Sequence, residues 1–250
     1  MTEPTPEDVS ASSSSVGSVA RAGHRKADRP KKQPLPVWQE TLLLLGIALV
    51  LAIGIKYFFV QAFYIPSPSM EPMFVKNDRI LVQKVSYWGD KGPKRGDIVV
   101  FEDPAHWLPT DESDTASNPI ARALGAVGLY PSGGHLVKRV IGVGGDRVVC
   151  DKDDHLIVNG KTLVEPYLQK GAQHCLGSGG VFDVRVPDGD LWVMGDNRDN
   201  SCDSRCHQDD PGHGFVPARL VVGKVFALIW PWKRATWVHT PATFRGVPAP

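Results

Sequence analysis

Residues 42–74 read LLLLGIALVLAIGIKYFFVQAFYIPSPSMEPMF, and the change of character within this stretch decides the architecture. Leu42 to Ile55 carries no charge. Extended through KYFFVQAF, the run reaches about 20 residues, the length an α-helix needs to cross a bilayer core. Trp38 and Tyr57 stand where interfacial aromatics belong, and Lys56 can carry its amine to the headgroups on an apolar stem. Prolines at 66, 68 and 72 then fix φ and remove backbone donors, so an ordered turn is expected there instead of more helix. The reading is a membrane span over 38–62 followed by a different kind of chain.

Before the span, residues 1–37 are rich in Ser, Pro and charge and poor in large apolar side chains. Such a segment buries too little surface to offset the entropy of ordering, and a disordered tail is expected. Its second half gathers Arg21, Arg25, Lys26, Arg29, Lys31 and Lys32 against one acid, Asp28. After Lys56 no Lys or Arg follows until Lys76. This asymmetry places the N-terminus in the cytoplasm and everything after residue 62 outside. The rival is a cleaved secretory signal ending near Val60-Gln61-Ala62. The long tail and the bulky Tyr57, Phe58 and Phe59 favour a retained anchor. Either way the rest of the chain is exported.

Beyond the turn the pattern is β-like. Runs at 79–85, 97–101, 136–141, 147–149, 156–158, 191–194 and 221–229 are short, rich in β-branched residues and separated by Gly, Pro, Asp and Asn. An antiparallel, mainly β domain over 63–250 is expected. VNGK (158–161) signals a hairpin, because Asn-Gly tolerates positive φ. Residues 102–135 break the rhythm as an inserted excursion, in which Asn118-Pro119 could begin a helix with Ile120, Leu124 and Val127 on one face. Over all 250 residues the net charge is only +1, which gives no argument for nucleic acid as a partner.

Four cysteines, Cys150, Cys175, Cys202 and Cys206, lie in the exported part, where disulfides form. They allow three full pairings, and Cys150–Cys175 with Cys202–Cys206 is the preferred one. A metal site from Cys202, Cys206, His207 and His213 competes weakly, since the paired C-x-x-C spacing that makes zinc motifs specific is missing.

Three stretches could carry chemistry. In IPSPSMEP, serine is an ordinary turn residue, and a nucleophilic serine needs a base that no histidine signature supplies. Lys138 in LVKRVIG would ordinarily point to solvent. If it points inward, desolvation disfavours its ammonium, and a neutral amine can take a hydroxyl proton. Arg139 must then face the other way. GDNRDNSCDSR (195–205) reads as a loop held by Asx turns. A calcium-loop reading fails at Ser204, where such a loop needs Gly.

Together, IPSPSMEP, GDIVVF (96–101), KRVIGVGGD (138–146) and GDNRDNSCDSR resemble the ordered boxes of bacterial type I signal peptidases. The likeness covers the anchor and nearly all of residues 63–231. It implies a membrane-bound serine endopeptidase, with 63–250 as its catalytic domain, that removes signal peptides from exported preproteins. Ser69 matches the nucleophile, Lys138 the general base, and Ser67 the hydroxyl that joins the Ser69 N–H in an oxyanion hole. Ser201 matches the residue orienting the base. Arg139 and Asp196 match a supporting ion pair, and Asp203 and Arg205 match braces of the same loop. The implied partners are preprotein signal peptides, the lipid bilayer and, by proximity, the secretion translocon; no cofactor or metal is implied. Leu136 departs from a position often aromatic in the family, and Cys202 and Cys206 suggest a local crosslink. The same Ser/Lys fold serves soluble self-cleaving repressors, against which the anchor speaks. An inactive tethered binding module would be expected to have lost Ser69, Lys138 or Ser201.

Overall fold

A computed structural model describes residues 36–89, 91–104, 106–108 and 134–250. The tail before residue 36 and the helix expected from Asn118-Pro119 lie outside these residues. Helix α1 runs Val37–Phe59, and its window 37–54 has a mean hydropathy of 1.9 with none of it buried. Leu42, Leu45, Leu49 and Ile53 are all exposed. A helix apolar on every side and covered by no protein is suited to lipid. Among the described residues it is the one helix long and apolar enough to cross a membrane.

The helix ends three residues earlier than the expected span. Val60–Tyr64 form strand β1, which pairs antiparallel with β2 (Arg79–Gln83), Val60 opposite Gln83 and Tyr64 opposite Arg79. The apolar content of VQAFY fits either state, and the partner strand supplies backbone bonds that favour the extended one.

The remaining strands are β3 (Ile98–Glu102), β4 (His135–Val143), β5 (Arg147–Cys150), β6 (Leu156–Val158), β7 (Lys161–Thr162), β8 (Phe182–Arg185), β9 (Asp190–Met194), β10 (Val216–Pro217), β11 (Val221–Trp230) and β12 (Thr236–Trp237). One sheet has the order β1-β2-β11-β3-β4-β9-β10, with β12 added beside β11. A second, four-stranded sheet has the order β7-β6-β5-β8. All pairings are antiparallel, as the short punctuated runs predict. Strands β1, β7, β8, β10 and β12 were not legible; all five are two to five residues long, and most lack an apolar face of their own. The β6–β7 hairpin does turn at Asn159 (φ 50°) and Gly160 (φ 80°).

β4 is the strand that matters most. It lies between β3 and β9, with Val99 opposite Lys138 and Ile98 and Met194 both opposite Arg139. Side chains alternate across a strand, so Lys138 and Arg139 point to opposite faces, and neighbours on both sides bury each of them. The smaller sheet packs Val148, Leu156, Val158 and Phe182 around Cys150 and Cys175, which are bonded to each other, in a core shared with Ile141 of β4 and Trp192 and Met194 of β9.

Candidate active site

The turn after β1 is built before any chemistry is placed on it. Ile65 N–H donates to Asp78 O and Asn77 N–H to Ile65 O, so the turn's entrance is clamped to the start of β2. Within it Glu71 N–H donates to Pro68 O and Phe74 N–H to Met70 O. Met70 and Phe74 anchor it in the core beside Phe63 and Ile80. Ser69 is held on this scaffold, only 8% exposed.

Lys138 reaches the same point from β4. Its Nζ donates to Ser69 Oγ at 2.7 Å, across 69 residues of sequence, and the residue is 4% exposed. Desolvation lowers its pKa from the ordinary 10.5 to about 8. Asp203 pulls it back up, Arg205 pushes it down and Asp196 pulls it up, all at longer range. Lys138 is thus a buried amine with a hydroxyl for a partner, and about a tenth of it is neutral at pH 7. Ser67 Oγ lies 3.1 Å from Ser69 Oγ. The expected three-residue grouping of Ser67, Ser69 and Lys138 is therefore present as geometry.

Arg139 has the opposite surroundings. Its Nε and Nη2 donate to the two oxygens of Asp196 at 2.7 and 2.6 Å, its Nη1 to Gly96 O at 3.0 Å. Its guanidinium also lies 4.2 Å from the centre of the Tyr167 ring, a cation–π contact. Burial alone would lower its pKa, but the Asp196 carboxylate outweighs it and raises it.

The 195–205 loop presses against this arrangement. Asp203 accepts from Gly195 N–H at 2.9 Å and from Arg205 Nε and Nη2, both at 2.9 Å. Burial pushes the Asp203 carboxyl up, and Arg205 brings it below the usual carboxylate range. Arg205 also donates to Arg198 O and Cys175 O, tying the loop to the disulfide of the smaller sheet. Ser201 is buried here, but its Oγ has no hydrogen-bond partner, so the bond to Lys138 that the resemblance implies is not formed.

Several contributors had no legible signal. Asn197 donates its backbone N–H to Ser69 O at 3.0 Å and its Nδ2 to Pro68 O at 3.1 Å, fastening the serine turn to the loop. Gly195 is required by close approach, because a Cβ there would collide with Ser201 Oγ and Ser69 O. Arg198, fully buried, pairs with Glu165 at 2.9 and 2.6 Å and donates to Gly195 O. Burial pushes the Glu165 carboxyl up, yet Arg198 and its hydrogen-bond partners hold it at about 2. Glu165 and Tyr167 sit in a proline-containing loop whose sequence announces nothing; only the buried arginines explain them.

Ser69, Lys138 and Ser67 line a groove of about 200 Å³ together with Leu136, Trp107, Asn200 and Cys202. Cys202 is bonded to Cys206. Cys202, Cys206 and His207 do come within ligating distance of one another, but the sulfurs are engaged in a disulfide and a metal needs thiolates. His213 is not part of that group; its Nδ1 lies 3.3 Å from Gln208 O.

The sequence model of the family described as "Signal peptidase, peptidase S26" matches residues 38–230. The signal peptidase I of Mycobacterium tuberculosis is 40% identical over 232 residues, covering 84% of this chain and 78% of its own. That of Leptolyngbya laminosa is 32% identical, covering 89% and 91%, and that of Bacillus licheniformis is 34% identical, covering 81% and 92%. The matched residues run from the apolar helix through the serine turn, β4 and the acidic loop to the end of β11, and the chain belongs to the signal peptidase family, peptidase S26.

Proposed function

We propose that this membrane-anchored serine endopeptidase of the signal peptidase family cleaves signal peptides from exported preproteins with Ser69 as nucleophile and Lys138 as general base. The observation that carries the assignment is the 2.7 Å contact between a hydroxyl and a desolvated amine. A neutral Lys138 accepts the Ser69 proton as Oγ attacks the scissile carbonyl. The Ser67 hydroxyl, 3.1 Å from Ser69 Oγ, and the Ser69 N–H receive the charge that develops on the carbonyl oxygen. The protonated lysine gives its proton to the leaving amine, and the mature protein departs. Water, deprotonated by the same amine, then clears the Ser69 ester.

Ser201 brings a buried hydroxyl with no competing partner, and leaving such a group unpaired costs about 1–3 kcal/mol. That cost supports its reading as the residue that steadies the amine once the proton has moved. Arg139–Asp196 and Asp203–Arg205 brace the two faces of this arrangement.

The substrate binds extended along the groove, with small side chains at the first and third positions before the cut. The excess of cations before α1 supports a topology with the N-terminus in the cytoplasm, a single span and the catalytic part, 63–250, outside. This topology keeps the groove close to the bilayer, where a signal peptide's apolar segment lies, and near the translocon that delivers it. The test is cleavage of a preprotein by the wild type, Ser69→Ala and Lys138→Ala. Each variant should remain folded and lose at least about 1,000-fold in rate; substantial residual cleavage by either one would remove it from the mechanism.

A further inference from the structure

The two disulfides occupy opposite environments. Cys150 and Cys175 are fully buried in the core of the smaller sheet. Cys202 is exposed and lines the groove that holds Ser69 and Lys138. Its Sγ lies 3.1 Å from His207 Nε2, and His207 Nδ1 lies 2.6 Å from Asp210 Oδ2. A carboxylate only accepts, so His207 donates its Nδ1–H to Asp210, and in the neutral ring the Nε2 lone pair faces the sulfur. Trp107 stacks on the other side of the imidazole, ring centres 4.3 Å apart and planes within 4°, and fixes the ring's orientation. A sulfur at a groove rim with an oriented imidazole beside it is a setting that makes a cysteine exchange-reactive.

We propose that the Cys202–Cys206 bridge is a thiol–disulfide exchange site, opened by an external dithiol, and that its redox state governs the rim of the groove. A thiolate of the dithiol attacks Sγ of Cys202, the more exposed cysteine of the pair. The Cys202–Cys206 bond breaks, its electron pair leaves on Cys206, and Cys206 takes up a proton. The second thiolate then attacks the dithiol's own mixed-disulfide sulfur. The reductant departs as its internal disulfide, and Cys202 leaves as a thiolate. Its proton equivalent resides on His207 Nε2, as a thiolate–imidazolium pair. One dithiol is oxidised and two cysteines are reduced. The reverse sequence, with Cys202 attacking and Cys206 resolving, reforms the bridge.

The bridge closes a five-residue turn, 202–206, that contains Asp203 and Arg205 and directly follows Ser201, all three buried. Opening it frees the Cys202 side chain in the groove and releases the tether beside Ser201. Turnover falls as a consequence, since small misplacements next to reacting groups are costly.

The experiment treats the full chain in detergent with dithiothreitol, alkylates at intervals and follows each cysteine by peptide mass spectrometry, with preprotein cleavage measured in parallel. Cys202 and Cys206 should be labelled at least about tenfold faster than Cys150 and Cys175, and His207→Ala should remove most of that excess. Wild-type cleavage should fall on the order of tenfold on reduction and return on reoxidation. A Cys202→Ser/Cys206→Ser variant should show no response to the dithiol. Equal labelling of the two pairs, an excess that survives in His207→Ala, or selective reduction with unchanged cleavage would each overturn the proposal. The cleavage arm rests on the Ser69/Lys138 reading, whereas the labelling arm does not. If Ser69→Ala still cleaved, the dyad would fall while selective labelling still stood.

Discussion

Lys138 and Arg139 are adjacent cations on one central strand, equally hidden from water, and the two faces of β4 treat them in opposite ways. On one face the guanidinium receives both oxygens of Asp196, a backbone carbonyl and an aromatic ring. On the other the ammonium meets a serine hydroxyl, while Asp203 and Asp196 raise and Arg205 lowers its pKa without offsetting its burial. Burial penalises both charges. What differs is compensation, so the arginine is held as an ion while the lysine loses its proton more readily, as the proposed base must. One strand thereby holds a rigid half and a reactive half at successive residues.

Exchanging the two kinds of cation tests this contrast most severely. Lys138→Arg keeps the charge but removes the ability to deprotonate, and cleavage should drop at least about 1,000-fold while the near-ultraviolet circular dichroism stays native. A variant that kept working would show that the position needs only a positive charge. Removing the compensated cation should act on folding first. Arg139→Ala leaves Asp196 buried and unpaired, so unfolding titrations should show a loss of about 3–5 kcal/mol. Arg139→Lys should recover part of this and never all, because a point charge cannot take both carboxylate oxygens.

The uncompensated amine should instead cost stability. Its folded pKa, about 8, lies below the ordinary 10.5, so between these values the unfolded chain binds more protons and stability rises with pH. Below about pH 8 the full cost is present, roughly 3 kcal/mol from the separation of the two values; above 10.5 it is gone. Lys138→Met should therefore be more stable than wild type at pH 7, inactive, and free of this pH dependence in denaturant titrations. A Lys138→Met protein less stable than wild type would mean that the charge is better compensated than its surroundings indicate. In the same terms, the cleavage rate should climb with pH through about 8, where the neutral amine becomes the majority. The smallest effect is expected at the seam between serine turn and loop. Asn197→Ala loses one hydrogen bond to Pro68 O, and a loss of about 1 kcal/mol corresponds to a roughly fivefold lower cleavage rate with the fold intact.

Legibility in the sequence followed how local each cause was. The apolar run needed no partner to be read, nor did the β-branched stretches or the Asn159-Gly160 turn. The end of α1 was misjudged because VQAFY is apolar enough for helix or strand, and β2 makes the choice. Ser69 and Lys138 were picked out by four boxes of resemblance, while the serine alone read as a turn and the lysine alone as a surface residue. Glu165, Tyr167 and Asn197 stayed invisible, since each owes its place to a partner at least 28 positions away.

By itself the sequence determined an apolar helix that water would reject and a β-rich body after it. It also placed serines on a proline-stiffened turn and cysteines in that β-rich body, because hydropathy, β-branching and the fixed φ of proline act over a few bonds. Only the tertiary structure decided that Lys138 is buried against Ser69 and Arg139 against Asp196, and that Cys202 lies open beside His207 while Cys150 is sealed. Those outcomes depend on which groups from distant segments are left to satisfy a charge or shield a sulfur once water is gone, and that selection is made by packing.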